Sequence, residues 1–597
     1  MATIGIDFGT TYSSLACFRQ NRTHVILDNN GYSTTPSVVS FTEDEYLIGY
    51  PAVEQMNFDM ENTVYDIKRI IGRSSKDRST REMCEQFSFD VTLSEQTPKV
   101  VVQYQGTEHQ FDPEQIVALF LADFKTNAST YLQEDIIGTI VTVPASFNYR
   151  QREAIKKACK LAGLGPVQLL NESTAAAVAY RLDNQLRNNS TVLVYDLGGG
   201  TFDLSIMKYH DSIFDVIMTR GDDKLGGRDF DTRLMNHVKE NFERLHHCDL
   251  SENKAALQRL RQACEKAKFR LSTAPSAPVK LPHFFGNISL SDTVQRATFE
   301  RLNQDLFDRT KSLMTDAIIE CGISLDSIDE VILVGGSTRI PRIRQMMKEM
   351  FPTLKLNCTI NPNHVVAEGA AVYAAKVFAS SNTNEQLSDW IVQDVNQLAL
   401  GLEDSRGNMV TLIKPNSPLP AKSTHYATTD TDHQTTMYIG IYEGDHSRAT
   451  RNELLDYYIL EGIQPQPAGK ALVQIDFELN REGMLTVTSS NLHTGLKVHR
   501  DTQTSRYEQY QKEIQQQKQQ QQQDSESQVA ATTSESRRKQ KEAYIRLKNL
   551  LNLLKLNQVS PSVEKTYLEI RDWLQKNPSA SLKEIESRIE TLSKLSK

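Results

Sequence analysis

Two stretches far apart in the chain repeat one pattern. Gly5 to Ser13 reads GIDFGTTYS, and Val194 to Ser205 reads VYDLGGGTFDLS. Each is an apolar run ending in Asp, then glycine and threonine, then a second alternating run. Run, glycine turn and run is the signature of a β-hairpin. Glycine lets the turn tighten and lets a ligand approach the backbone. Two such hairpins point to two related halves of one domain.

The surroundings agree. Up to about residue 380, short β-type runs (Ile4-Gly5-Ile6, Gly138 to Val143, Thr191 to Tyr195, Val331 to Val334) alternate with amphipathic stretches such as Arg150 to Leu164 and Leu257 to Leu271. That alternation predicts an α/β domain. Ser380 to Glu385 is polar and reads as a linker. From about 396 to 503 the signal is all β, with strands at Met437 to Tyr442, Leu472 to Leu479 and Met484 to Thr488, and a hairpin turn at Asn480 to Gly483. A β-sandwich fits. Beyond 504 the chain is polar and helical, with a glutamine run at 515–523 that reads as a solvated spacer. Helices are predicted at Ser536 to Leu556, after Ser560-Pro561 and after Asn577-Pro578.

A net charge of −8 leaves no basic footprint for nucleic acid. No apolar run approaches the ~20 residues of a membrane helix, so no membrane partner is expected. The start, MATIGIDFGT, lacks a secretory leader pattern. The seven cysteines are odd in number and show no CxxC pair, which suits a reducing compartment; a cytoplasmic location is expected.

Gly9-Thr10-Thr11 and Gly198-Gly199-Gly200-Thr201 offer one backbone cradle per half, placed to clamp a triphosphate from opposite sides. Asp7 and Asp196 each end the strand that enters the cradle. Mg2+ retains several waters, so these carboxylates suit it through that shell. Gly335-Gly336-Ser337-Thr338-Arg339 follows a third strand and suits a flat adenosine.

With Asp66 to Arg69, Ile71-Gly72-Arg73, Thr142 to Ala145, Leu170 to Ala175, Gly221, Leu225-Gly226-Gly227 and Val334 to Pro341, these motifs resemble the 70-kDa heat-shock (DnaK-type) chaperones of the actin-like ATPase superfamily. The β region is similar too, in Leu412-Ile413, Tyr442-Glu443-Gly444, Pro467-Ala468-Gly469 and Ile475-Asp476-Phe477, and Tyr567 to Asn577 resembles part of the family's helical lid. The divergent features are similar to the HscC-type branch. The resemblance implies a multidomain protein. Its parts would be an α/β actin-like ATPase domain of duplicated ribonuclease-H-like halves over 1–380, an interdomain linker over 381–395, an antiparallel β-sandwich that binds peptide over 396–503, and a short, truncated α-helical lid over 504–597.

Roles follow by resemblance. Lys68 would sit beside the γ-phosphate. Thr10, Thr11 and Thr201 would contact phosphates, with Gly9, Tyr12, Gly198, Gly199, Gly200 and Gly227 around the nucleotide. Asp7, Glu172, Asp196 and Asp203 would organise Mg2+ and its waters, with K+ as a further candidate ion. Glu265, Lys268 and Ser272 share one helix face and would hold adenosine, completed by Gly336, Ser337 and Arg339; Asn363 stands where many relatives have Asp. Pro144, Arg152 and Asp394 would link nucleotide state to domain docking. Leu402, Ala427, Met437, Ile439 and Val473 would line the peptide groove.

The function implied is an ATP hydrolase that binds and releases client polypeptides, with a J-domain co-chaperone and a nucleotide exchange factor as partners. Departures qualify it. Ala427 replaces a large aromatic, and Ser405 and Asp430 replace apolar residues that arch over the peptide. Gln393 interrupts an apolar linker, and Gln168 replaces an arginine that helps recruit J-domains. Weak affinity, a narrow clientele and a specialised partner are expected, and a nucleotide-gated adaptor without general chaperone activity is the alternative. A kinase or filament protein on the same core would not need the linker, sandwich and tail in this order.

Overall fold

The structure, a computed structural model, describes residues 2–501 apart from 95, 183–185, 252, 355, 358, 380–386, 388–389, 493 and 496, and then 547, 561–577 and 580–595. The chain divides into two compact units, 1–503 and 504–597.

The first unit contains two sheets with one strand plan. In the first lobe, β1 (Ala2–Asp7), β2 (Tyr12–Arg19), β3 (Arg22–Ile26), β4 (Ile136–Val143) and β5 (Val167–Asn171) lie in the order β5-β4-β1-β2-β3. The pairs β1–β4 and β4–β5 are parallel, and the two hairpin pairs are antiparallel. In the second lobe, β6 (Ser190–Leu197), β7 (Phe202–His210), β8 (Ile213–Asp222), β9 (Glu330–Val334) and β10 (Leu356–Asn357) repeat the plan as β10-β9-β6-β7-β8. Strands buried on both faces read as continuous apolar runs, and Val192 to Leu197 and Val331 to Val334 are buried throughout. The second sheet continues by one more strand, β11 (Ile391–Gln393), parallel to β8 with Phe214 opposite Val392.

Helix α1 (Tyr149–Leu161) starts at a capping box, in which Asn148 Oδ1 accepts from Gln151 N at 2.9 Å and Gln151 Oε1 accepts from Asn148 N at 3.1 Å. Helix α2 (Glu172–Leu182) follows β5. In the second lobe, α3 (Gly227–His246) and α4 (Lys254–Leu271) precede β9, and α5 (Val365–Phe378) follows β10. Helices α2 and α5 cross between the lobes, and small residues let their backbones touch. A Cβ on Gly369 would lie 1.7 Å from the Ala175 carbonyl oxygen, and one on Gly5, in β1, 2.2 Å from Ala371 N. Gly369→Ala is therefore expected to destabilise this unit by roughly 3 kcal/mol, because backbone rather than a movable side chain is in the way. An unchanged first melting transition would contradict this close crossing.

The remainder of the unit is a sandwich of two four-stranded antiparallel sheets. One orders β12 (Leu400–Glu403), β13 (Met409–Ile413), β15 (Met437–Glu443) and β16 (Glu453–Leu460) as β13-β12-β15-β16. The other orders β14 (Ala421–Thr428), β17 (Leu472–Leu479), β18 (Leu485–Asn491) and β19 (Lys497–Asp501) as β14-β17-β18-β19. Alternate residues of β17 point inward, so Val473, Ile475, Phe477 and Leu479 meet Leu402, Met437, Ile439 and Ile441 in one core. The turn between β17 and β18 closes through Gly483 N to Asn480 O at 3.0 Å, with Gly483 at φ 75°.

In the second unit, α6 (Pro561–Lys576) and α7 (Leu582–Leu595) bury Ile570, Leu574, Ile585, Ile589 and Leu592 with Leu547. Ser581 precedes α7 and donates from N and Oγ to Glu584 at 2.9 and 2.7 Å. The helix expected after Asn577-Pro578 thus begins at Leu582. The polar linker at 380–385, the glutamine run, most of the helix expected at 536–556 and the cap at Ser560 lie outside the described residues.

Candidate active site and docking interface

The turn between β1 and β2 and the turn between β6 and β7 face each other. A Cβ on Gly199 would lie 2.2 Å from Thr11 Oγ1, and one on Gly200 2.8 Å from Thr10 Oγ1. The two loops thus sit face to face, with glycine providing the clearance. Gly198 N donates to Thr201 O at 3.0 Å, closing the second loop, and Gly9 N donates to Ser13 Oγ at 3.1 Å in the first.

Lys68 lies on a short 3-10 turn, Ile67–Arg69, and is almost fully buried. Its Nζ donates to Glu172 Oε1 at 2.7 Å, at the start of α2, and to the Phe8 carbonyl. Around it stand three further carboxylates, Asp196 and Asp203 buried and Asp7 half-buried. Burial, then the negative charge of Glu172, pushes Asp7 up to about 7, against the pull of Lys68 and Thr142. The same two causes push Asp203 to about 7 although Ser146 N donates to it at 2.8 Å, and Asp203 Oδ2 has no partner. Asp196 is raised well above the usual carboxylate range by burial, Glu172, Asp203 and Asp7. One ammonium among four carboxylates leaves the cleft short of positive charge. Among the described residues, no three His, Cys, Asp or Glu side chains converge tightly enough to hold a metal directly. The donor set fits a divalent cation held through its waters.

Behind the second loop, Lys268 donates to Gly227 O at 2.9 Å and to Asp231 Oδ2 at 2.7 Å, and Ser337 Oγ donates to Gly198 O at 2.8 Å. Gly336 faces Asn363 Oδ1, and Arg339 donates to Asn361 Oδ1 at 2.9 Å. Ser272 caps α4, donating to Lys268 O at 3.3 Å. Tyr12 borders Glu265, whose charge, after burial, raises the phenol's affinity for its proton. Glu265 pairs with Arg228 at 3.2 Å. Neither Arg228 nor Asp231 was singled out from sequence, although Arg228 directly follows the Gly226-Gly227 motif. Cys264 is fully buried, and burial raises its thiol far above the ordinary range, so it is a packed structural thiol.

The second cluster joins the α/β lobes, the linker strand and the sandwich. After Pro144, whose carbonyl accepts from Phe147 N, α1 presents Tyr149, Arg150, Arg152 and Lys156 to the sandwich. Tyr149 N donates to Glu443 Oε2 at 2.9 Å, Arg150 pairs with Glu453 at 3.2 Å, and Lys156 with Glu482 at 2.6 Å. Arg152 is half-buried, donates to Asn171 Oδ1 at 2.8 Å and Phe147 O at 3.0 Å, and faces Asp394 and Glu443. Asp394 accepts from Thr174 Oγ1 at 2.8 Å. Gln393 is exposed and still pairs with Asp215 in the β8–β11 register, so the polar residue does not prevent strand addition. Trp390, just before β11, is 1% exposed and packs near Phe214 and Tyr373.

Burial pushes the Glu443 carboxyl up to about 7, with Glu453 adding and Tyr149 N–H, Arg152 and Arg150 opposing. A carboxyl whose pKa rises on docking takes up a proton as it docks. This contribution is complete below the ordinary glutamate range and is lost as pH rises through about 7. Trp390 fluorescence is expected to report a looser interface at about pH 8 than at about pH 6, and Glu443→Gln should flatten that dependence; an equally steep profile in the variant would assign it elsewhere.

The groove residues predicted from sequence do not form an open groove here. Leu402, Met437, Ile439 and Val473 are 5, 8, 3 and 1% exposed and belong to the sandwich core, with Ala427 packed against it. Ser405 and Asp430 are exposed.

Two lobes of one plan facing each other across opposed glycine loops, with a further strand on the second sheet and a docked β-sandwich, define a protein of duplicated α/β lobes joined to a β-sandwich. A family model described as Hsp70 protein matches residues 3–597. The heat shock 70 kDa protein 2 of Paracoccidioides lutzii is 40% identical over 492 residues, covering 82% of this chain and 75% of that protein. The heat shock 70 kDa protein of Neurospora crassa is 37% identical over 592 residues, covering 98% and 91%. The heat shock cognate 70 kDa protein 3 of Dictyostelium discoideum is 38% identical over 509 residues, covering 85% and 80%. The chain belongs to the Hsp70 family. That family carries an actin-like ATPase domain, a β-sandwich and a helical lid, hydrolyses ATP with Mg2+, and chaperones polypeptides with J-domain and nucleotide-exchange partners.

Proposed function

We propose that this chain is an ATP-driven chaperone in which residues 1–380 hydrolyse ATP, 381–395 couple, 396–503 hold an extended client and 504–597 form a short lid. The observation that carries the coupling is β11. It extends the sheet whose β6–β7 turn is the Gly198–Thr201 loop, so a shift of that loop on hydrolysis reaches the linker through one continuous sheet. Thr10, Thr11 and Thr201 hold the phosphates, and Lys68 orients the attacking water and stabilises negative charge on the departing oxygens. Asp7, Glu172, Asp196 and Asp203 hold the waters of Mg2+, which when bound neutralises the phosphate oxygens; K+ is a further candidate for the same carboxylates. Glu265, Lys268, Ser272, Gly336, Ser337 and Arg339 surround adenosine.

Partner choice is specialised at Gln168, which lines a crevice with Asp394, Tyr373, Arg481 and Glu482. Free cysteines, four of them buried, support a reducing, cytoplasmic compartment. A second reading, a nucleotide-gated adaptor of narrow range, is favoured by the buried groove residues and the polar Ser405 and Asp430. Hydrolysis by the full chain with and without unfolded peptides separates the two.

A further inference from the structure

Away from the cleft and the docking interface, the sheet β13-β12-β15-β16 has an exposed aromatic face. Its inner side supplies Met437, Ile439, Tyr458 and Leu460 to the sandwich core. Side chains alternate along a strand, so Tyr438 of β15 and Tyr457 of β16 point away from that core, and they are 61 and 40% exposed. Their rings stack with centroids 5.9 Å apart and planes 21° from parallel. Gly440 stands opposite Tyr457 in the β15–β16 register. A Cβ there would lie 2.9 Å from the Tyr442 ring and 3.5 Å from the Tyr457 ring, so glycine lets three tyrosines share one patch. Tyr442 Oη donates to Glu403 Oε2 at 2.8 Å, which places a carboxylate at the margin of the patch.

The charge of this sheet is one-sided. Its four strands carry Glu403, Glu443, Glu453 and Asp456 and no Lys, Arg or His, and Glu461 follows β16 directly. In the opposite sheet, Lys422, Lys497 and Arg500 balance Asp476, Glu478 and Asp501. Glu443 and Glu453 meet α1, whereas Asp456 precedes Tyr457 in the chain and Glu461 closes the far end of the same strand. Tyrosines surrounded by negative charge alone repel polyanions and attract cations. Arginine matches both parts, since its planar guanidinium stacks on aromatic rings while its N–H fork reaches carboxylates. β16 is also the last strand of its sheet, and an edge strand can pair with an extended chain through its backbone.

We propose that this face docks an extended, arginine-rich segment of a partner protein. The segment's backbone runs beside β16, its guanidinium groups lie on Tyr438 and Tyr457, and Glu403, Asp456 and Glu461 supply the opposing charge. Leu402, Met437, Ile439 and Val473 lie on the inner side of the sandwich, so the partner docks without occupying the positions assigned to the client.

The test is fluorescence anisotropy of a labelled peptide of alternating arginine and serine with the full chain; that peptide offers no apolar side chain to a client groove. Binding is expected, and it weakens as salt rises. Tyr438→Ser combined with Tyr457→Ser is expected to weaken it roughly tenfold, the loss of two exposed cation–π contacts. Tyr438→Phe combined with Tyr457→Phe keeps the rings and should keep most of the affinity. Should the serine variant fail to fold, Asp456→Asn combined with Glu461→Gln gives a second route and should weaken binding severalfold and flatten its salt dependence. Affinity unchanged in either folded variant, equal affinity for a peptide of alternating glutamate and serine, or no binding of the arginine peptide overturns the proposal. A dimer of the chain that the serine variant abolishes would give the face to a second copy and overturn it as well.

Discussion

Lys68→Ala is expected to slow ATP hydrolysis by about 10²–10³-fold, the usual effect of removing one preorganised group that stabilises transition-state charge, while nucleotide still binds. Lys68 is the cation that holds down the proton affinity of Asp7, Asp196 and Asp203. Without it their proton affinity rises further, and the cleft loses both its positive charge and part of its affinity for a cation. The Phe8 carbonyl and Glu172 would also lose a buried donor. Single-turnover hydrolysis reads the effect directly. A rate within threefold of the unaltered chain would remove Lys68 from the chemistry.

Arg152→Ala is expected to undock the sandwich. The half-buried guanidinium faces Asp394, Glu443 and Asp203 from three segments, and removing it withdraws the positive charge they share, while Glu482 keeps Lys156. Losing one hydrogen bond from a charged group costs about 1.5–3 kcal/mol, enough to shift a two-state docking equilibrium by more than tenfold. Trp390 is a built-in reporter, buried beside the β8–β11 pairing, and the other tryptophan of the chain, Trp573, can be replaced by phenylalanine to isolate its signal. The expected result is a red-shifted Trp390 emission and hydrolysis that no longer responds to peptide. Unchanged emission together with a preserved peptide response would show that Arg152 is not part of the coupling.

Much of the cleft was legible in sequence because its constraints are local. A strand ending in Asp, a glycine turn and a second strand leave their order in the chain, and Ala2–Asp7, Ser190–Leu197 and Leu472–Leu479 lie where apolar runs place them. The opposed loops also follow from the repeat, since two copies of one hairpin in a paired fold present equivalent turns to each other. What was not legible depends on partners distant in sequence. Arg228 reads as a surface arginine until Asp66 and Glu265 arrive from other elements. Glu443 and Glu482 sit in turn-like motifs whose ligands, Tyr149 N and Lys156, lie about three hundred residues away. The groove residues were assigned by resemblance alone, because alternation marks one face of a strand but not whether that face is covered; here Leu402, Met437, Ile439 and Val473 lie in the core between the two sheets.

The central claim is that nucleotide chemistry and peptide binding are coupled in one chain. Steady-state ATP hydrolysis by the full chain, with and without a panel of unfolded peptides, tests it most directly. Slow hydrolysis accelerated by at least one peptide, with that acceleration absent in Arg152→Ala, is the predicted result. Hydrolysis indifferent to every peptide would contradict the coupling and leave a nucleotide-gated adaptor in its place.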